Sequence, residues 1–148
     1  MRRAMLTAVC ALLGAAAADA ASVDRVQILR AGLWQSGDGS RPVFARITDV
    51  IPAKVGTLFG IEWRPSGRAG DGNTSLKIRW FYPAPGLQHP VTRARRTTDE
   101  FDYAVTMGAR EVTVIELNSA AMLLPGKWVV EIGDATRVLA RHEFSLTP

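Results

Sequence analysis

His89 and His142 are the two imidazoles of the chain. A metal-dependent hydrolase is one chemistry they suggest, because a catalytic zinc takes three protein ligands and an open fourth position. The two stand far apart in sequence, with no short-spaced ligand pair beside either, so no metal site is assigned. His89 precedes Pro90, which biases it toward an extended turn. His142 falls by parity on the apolar face of the last strand, as a neutral ring with one hydrogen bond.

Arg93, Arg95 and Arg96 form the densest basic cluster. Such a cluster can hold an anionic glycan, a lipid headgroup or an acidic partner. Asp99, Glu100 and Asp102 follow at once and are expected to neutralise it locally. The same three acids raise the question of carboxylate catalysis. Glycosidases set two carboxyls across a substrate bond in a cleft. Neighbouring residues of a strand point to opposite faces, so this cluster does not supply that geometry.

Four tryptophans could build a stacking platform for sugars. Parity puts Trp63, Trp80 and Trp128 on apolar faces, so they read as core. Trp34 sits beside a Gly-rich loop and reads as an exposed ring. Leu58 and Phe81 face away from their strand cores, which makes them an apolar patch if both are uncovered. No Gly-x-Ser-x-Gly elbow, His-Glu-x-x-His, P-loop or dinucleotide fingerprint is present. Asn73-Thr74-Ser75 matches a glycosylation sequon, a three-residue match that is given no weight.

The elements that must carry these residues are strands. Residues 23–29 form a first strand and residues 36–40 a loop. Residues 43–50 are extended and irregular, and Pro52 ends them or marks an edge. Val55, Phe59, Ile61 and Trp63 share one face of the next strand. Leu76, Ile78, Trp80 and Tyr82 alternate after a Gly-rich turn. A polar stretch covers residues 88–98. Phe101, Tyr103, Val105 and Met107 alternate after it. Residues 112–117 form another strand, and residues 118–124 are the one helical candidate. Trp128, Val130 and Ile132 precede a final strand over residues 138–146. Mixed apolar and polar faces belong to half-buried antiparallel strands. About seven of them predict an all-β, immunoglobulin-like antiparallel sandwich with at most one short helix; a small β-barrel is the alternative. Leu124-Pro125-Gly126-Lys127-Trp128 fits the corner of such a sandwich, with the indole N–H donating back to the corner backbone.

Composition agrees with a globular chain. Of 148 residues, 47% are hydrophobic and 22% charged. Arg2 and Arg3 open a leader whose residues 4–18 carry no charge, and Ala18 and Ala20 are small residues at a cleavage site. Residues 1–20 are therefore expected to be a signal peptide cut after Ala20, leaving a single domain over residues 21–148. The cut removes Arg2, Arg3 and Asp19 and leaves a net charge of about +3. It also removes Cys10, the one cysteine, and with it thiol chemistry and disulfides. No transmembrane helix is expected in the mature chain. A charge this small, without an aromatic-basic motif, excludes a nucleic-acid partner.

Gly32-Leu33-Trp34, Ile51-Pro52-Ala53 leading to Gly56-Thr57-Leu58-Phe59-Gly60, His89-Pro90, and Pro125-Gly126-Lys127-Trp128 with Phe144 near the end follow one another in a distinctive order. Together they resemble a family of small exported bacterial proteins known only as a domain of unknown function. The resemblance covers nearly all of the mature chain. It implies a small β-sandwich and no established activity, cofactor or catalytic residue.

The expectation is a periplasmic or secreted, non-catalytic binding or interaction module of the cell envelope. It has no cofactor. Its partner is an envelope protein, an anionic glycan or a lipid headgroup, contacted through the loops at residues 34–41 and 89–96. Trp34, His89, Arg93, Arg95 and Arg96 are the contact residues. An assembly factor that adds a strand to a partner and a metal-dependent hydrolase are the alternatives.

Overall fold

The computed structural model describes residues 21–39, 41–68, 70 and 74–148. The expected leader, its cut after Ala20, and Asn73 of the sequon lie outside the described residues. The strands are β1 (Ser22–Ser36), β2 (Pro42–Ile47), β3 (Val50–Pro52), β4 (Leu58–Arg68), β5 (Thr74–Phe81), β6 (Leu87–Gln88), β7 (Arg95–Arg96), β8 (Thr98–Val105), β9 (Glu111–Glu116), β10 (Gly126–Gly133) and β11 (Val138–Thr147). A single 3₁₀ turn at Ala120–Met122 replaces the helical candidate.

The strands form a sheet of four, in the order β2-β1-β4-β9, and a sheet of five, in the order β3-β11-β10-β5-β8. β6 and β7 make a separate hairpin. Every pairing is antiparallel except β3 with β11. The fold is therefore the all-β sandwich expected from alternation, not a closed barrel. The expected number of strands was too low. Short edge strands β2 and β3, and the β6–β7 hairpin within the polar stretch, carry too few alternating residues to announce themselves.

The alternation places the core as read but for Val55, which shares the parity of Phe59 yet precedes β4 and is 51% exposed. Phe59, Ile61 and Trp63 of β4 face Leu76, Ile78 and Trp80 of β5 and Trp128, Val130 and Ile132 of β10. Phe59 is its hub, meeting Trp80, Trp128 and Phe144 edge-on at ring separations of 5.9, 5.7 and 5.1 Å. Such edge-to-face pairs add about 0.5–1.5 kcal/mol each beyond burial. The corner before β10 closes as its sequence implies: Trp128 Nε1 donates to the Leu124 carbonyl at 2.9 Å.

The outer face of the five-stranded sheet is a ladder of alternating charge. Glu100 and Asp102 of β8 accept from Lys77 of β5, and Glu100 also pairs with Arg79. Across β10 and β11, Arg141 pairs with Glu131 and Glu143, and Lys127 reaches Glu143. Each exposed pair stabilises by at most about 1 kcal/mol. The acids thus neutralise their own sheet. Of the basic cluster they serve Arg96 alone, through Asp99.

Candidate functional site

The loop after β6 folds back on itself without help from the core. His89 and Ala94 close it, with His89 N–H donating to the Ala94 carbonyl at 2.8 Å and Arg93 N–H to the His89 carbonyl at 3.1 Å. The His89 Nδ1 accepts the Val91 and Thr92 N–H groups at 3.2 and 3.1 Å. Thr92 Oγ1 accepts from Ala94 N–H, and Gln88 Nε2 donates to the Arg93 carbonyl. The imidazole organises this turn, and the lone pair at its Nδ1 is already engaged. Pro90 and Val91 ride at the tip, with Val91 81% exposed. Arg93 adopts φ 61°, in the left-handed region. Residues held there cost of order 1–3 kcal/mol and persist where the surroundings fix them.

The base of the hairpin is pinned by side chains. Arg96 Nε donates to Asp99 Oδ1 at 2.6 Å, and the Tyr82 hydroxyl donates to Asp99 Oδ2 at 2.8 Å. Burial, then the bond to Asp99, pushes the Tyr82 hydroxyl well above its usual range, so it stays protonated. Arg95 donates to the Gly86 carbonyl. The Arg93 guanidinium is without a side-chain partner among the described residues. A hollow of about 240 Å³ opens between this hairpin and the 3₁₀ turn. Gln88, Arg96, Asn118 and Ser119 give it polar walls, and Pro90 and Met122 apolar ones. Hydroxyl-bearing and anionic groups suit that lining.

Trp34 is elsewhere, and its assignment as an exposed ring is corrected. β1 runs through residue 36, well past the expected end of the first strand, and carries Trp34 onto the outer face of the four-stranded sheet. There the ring is only 6% exposed. It packs edge-on against Phe44 at 5.1 Å, and its Nε1 donates to the Gly60 carbonyl at 3.2 Å. Gly60 must be glycine for β9 to lie this close to β4, since a Cβ there would lie 2.1 Å from the Thr113 carbonyl oxygen. The structure gathers His89, Arg93, Arg95 and Arg96 on one hairpin and leaves Trp34 out of it.

The same outer face holds a charged group that sequence reasoning missed. Glu62, 6% exposed, takes a bidentate pair from Arg30 at 2.7 and 3.1 Å, with Arg110 at 3.9 Å. The Arg30 guanidinium lies 4.6 Å above the Phe44 ring. The hydrogen bond from Arg30 outweighs burial and holds the Glu62 carboxyl below the ordinary carboxylate range. Glu62 is therefore a fixed anion, not a proton donor at neutral pH. The strand pattern did place it opposite the core face; its partner Arg30 was invisible because the cross-strand register comes from pairing.

His142 faces the edge of the core as its parity implied, over Phe144 at 4.7 Å, and bonds Asp49 at 2.8 Å. No group of three His, Cys, Asp or Glu side chains able to hold a metal occurs among the described residues. Leu58 and Phe81 belong to opposite sheets and form no common patch. Leu58 lines a hollow of about 230 Å³ with Arg41, Pro42 and Val114 beneath the β1–β2 loop. No helix of the described residues is long and apolar enough to cross a membrane.

No protein-family model and no curated protein matches the chain. Among solved structures, the chain is similar to an immunoglobulin-like protein from Pseudomonas aeruginosa, with 24% identity and a TM-score of 0.68. The match covers 88% of this chain and 99% of that one. That likeness establishes the immunoglobulin-like fold. β-Glucosidases from Kluyveromyces marxianus and Bifidobacterium adolescentis match at 13% and 10% identity, with TM-scores of 0.36 and 0.37. The matches cover 82% and 85% of this chain but only 13% and 17% of those enzymes, and they carry no argument about activity.

Proposed function

We propose that this chain is an exported, non-catalytic binding module of the bacterial cell envelope, periplasmic or secreted after loss of residues 1–20. The family of unknown function that its motifs resemble belongs to the same proposal. Its contact surface is the β6–β7 tip and the hollow beside it. One observation carries this reading: a solvent-exposed tip is held rigid by its own hydrogen bonds, with Arg93 kept at positive φ. Order in a tip that projects beyond the core lowers the entropy cost of gripping a ligand. The basic side chain and the adjoining polar hollow favour an anionic group, from an acidic glycan or a lipid headgroup.

The test is titration of the purified protein with an acidic oligosaccharide and, separately, with vesicles of anionic or neutral phospholipid. Binding to either anionic probe that Arg93→Ala weakens about tenfold supports the site, the loss expected for one charged contact. Binding that ignores Arg93→Ala, or none to any probe, removes it. Intact mass of the protein recovered from the envelope fraction checks the cut after Ala20.

A further inference from the structure

The two large sheets leave four strand edges open among the described residues, β2 and β9 in one and β3 and β8 in the other. An open edge is a row of unpaired N–H and C=O groups and a template for another strand. Three of the four are defended. β2 begins with Pro42 and is broken by a bulge that leaves Ala45 out of register. β3 is three residues long and ends on Pro52. β8 carries Asp99, Glu100 and Asp102, so a second copy of it meets like charge. β9 has neither a proline nor a bulge, and its two glutamates stand at its ends, leaving the four residues between them uncharged. Its sequence EVTVIE holds no Pro, Gly or Lys, and its register against β4 runs unbroken from Glu111 to Glu116.

We propose that β9 pairs antiparallel with β9 of a second copy of this chain, with Thr113 on the twofold axis, to join the two four-stranded sheets into one of eight strands. Charge and register select the second copy as occupant. Residues 110, 112, 114 and 116 share the outer face by the two-residue period. Pairing centred on Thr113 sets Val112 opposite Val114 of the partner subunit. It also sets Arg110 opposite Glu116 of the partner subunit, and twofold symmetry repeats both contacts. A one-residue slip faces Glu111 with the partner's Glu116 in one direction and sets Arg110 opposite the partner's Ile115 in the other. A two-residue slip in either direction separates Arg110 from the partner's Glu116.

Both charged residues are available. Glu116 is exposed and without an ion pair among the described residues. Arg110 is 62% exposed, and its contact to Glu62 is long, at 3.9 Å. A second feature lies on the same side of the sandwich. β8 is tied to β9 by the Tyr103 hydroxyl donating to Glu111 at 2.8 Å. Phe101, which shares the inward face of β8 with Tyr103, is left 45% exposed there. A second sandwich joined at β9 covers it.

Sedimentation velocity over a concentration series of the purified protein tests the pairing, and it needs no ligand, so its result is separate from the fate of the β6–β7 site. The wild type is expected to pass from monomer to dimer as concentration rises. Glu116→Arg faces the partner's Arg110 at two places and should weaken the dimer roughly tenfold to a hundredfold, with an unchanged melting temperature at dilutions where both proteins are monomeric. Mixing Glu116→Arg with Arg110→Glu restores both contacts in the mixed dimer, and the double variant, where the charges are exchanged, restores them in its own dimer, so the dimer should return in either. Should the double variant fail to fold because Arg110 neighbours Glu62, the wild type against Glu116→Arg decides alone. A wild type that stays monomeric throughout, or a dimer that Glu116→Arg leaves equally tight, overturns the proposal.

Discussion

Replacing Trp34 by alanine separates a buried structural ring from an exposed binding ring. The indole is 6% exposed, bonded to the Gly60 carbonyl and packed on Phe44. Removing a buried tryptophan side chain costs about 3–5 kcal/mol. The outer face of a sheet relaxes more easily than the core, which points to the lower end, about 3 kcal/mol. In a domain of this size that lowers the melting temperature by roughly 10 °C. Trp34→Phe keeps most of the packing but leaves the Gly60 carbonyl without its donor, for a loss of about 1–2 kcal/mol. Urea unfolding of the wild type and both variants, followed by far-ultraviolet circular dichroism, gives the two differences. The order expected is wild type, then Trp34→Phe, then Trp34→Ala. A Trp34→Ala protein within about 0.5 kcal/mol of the wild type, the range of ordinary surface changes, would refute the burial argument. Loss of ligand binding in such a protein would return Trp34 to the contact surface.

Three further outcomes are expected. Glu62 has its folded carboxyl held below its ordinary value of 4.5 by Arg30, so it contributes stability above that pH and loses it as pH falls through the depressed folded value; urea midpoints against pH should show a shallower acid slope in Glu62→Gln. His89→Ala removes the acceptor of the Val91 and Thr92 N–H groups; hydrogen exchange at those amides should speed up while the melting temperature hardly moves. Gly60→Ala sets a Cβ 2.1 Å from the Thr113 carbonyl oxygen, and calorimetry should show a loss of about 2 kcal/mol or more.

Much of the fold was legible in the chain because a half-buried strand writes its face every second residue. Phe59, Ile61 and Trp63 marked the core side of β4, and Glu62 between them marked the solvent side. The corner at Trp128 was legible too, since Pro-Gly followed by an aromatic is a local device. The β6–β7 hairpin was not. Its strands are two residues each, and its order comes from hydrogen bonds around His89 that no periodicity signals.

The sequence by itself determined the class of fold, most of the core residues and a polar stretch around His89, Arg93, Arg95 and Arg96, though not its folding into a hairpin. Those depend on local alternation and on turn chemistry, which are properties of neighbours along the chain. The tertiary structure alone decided where Trp34 lies, which arginine holds Glu62, and which edges stay open. Each of these depends on how far β1 runs and on which strand pairs beside it. Register between strands distant in sequence is a collective result of packing, and no single segment contains it.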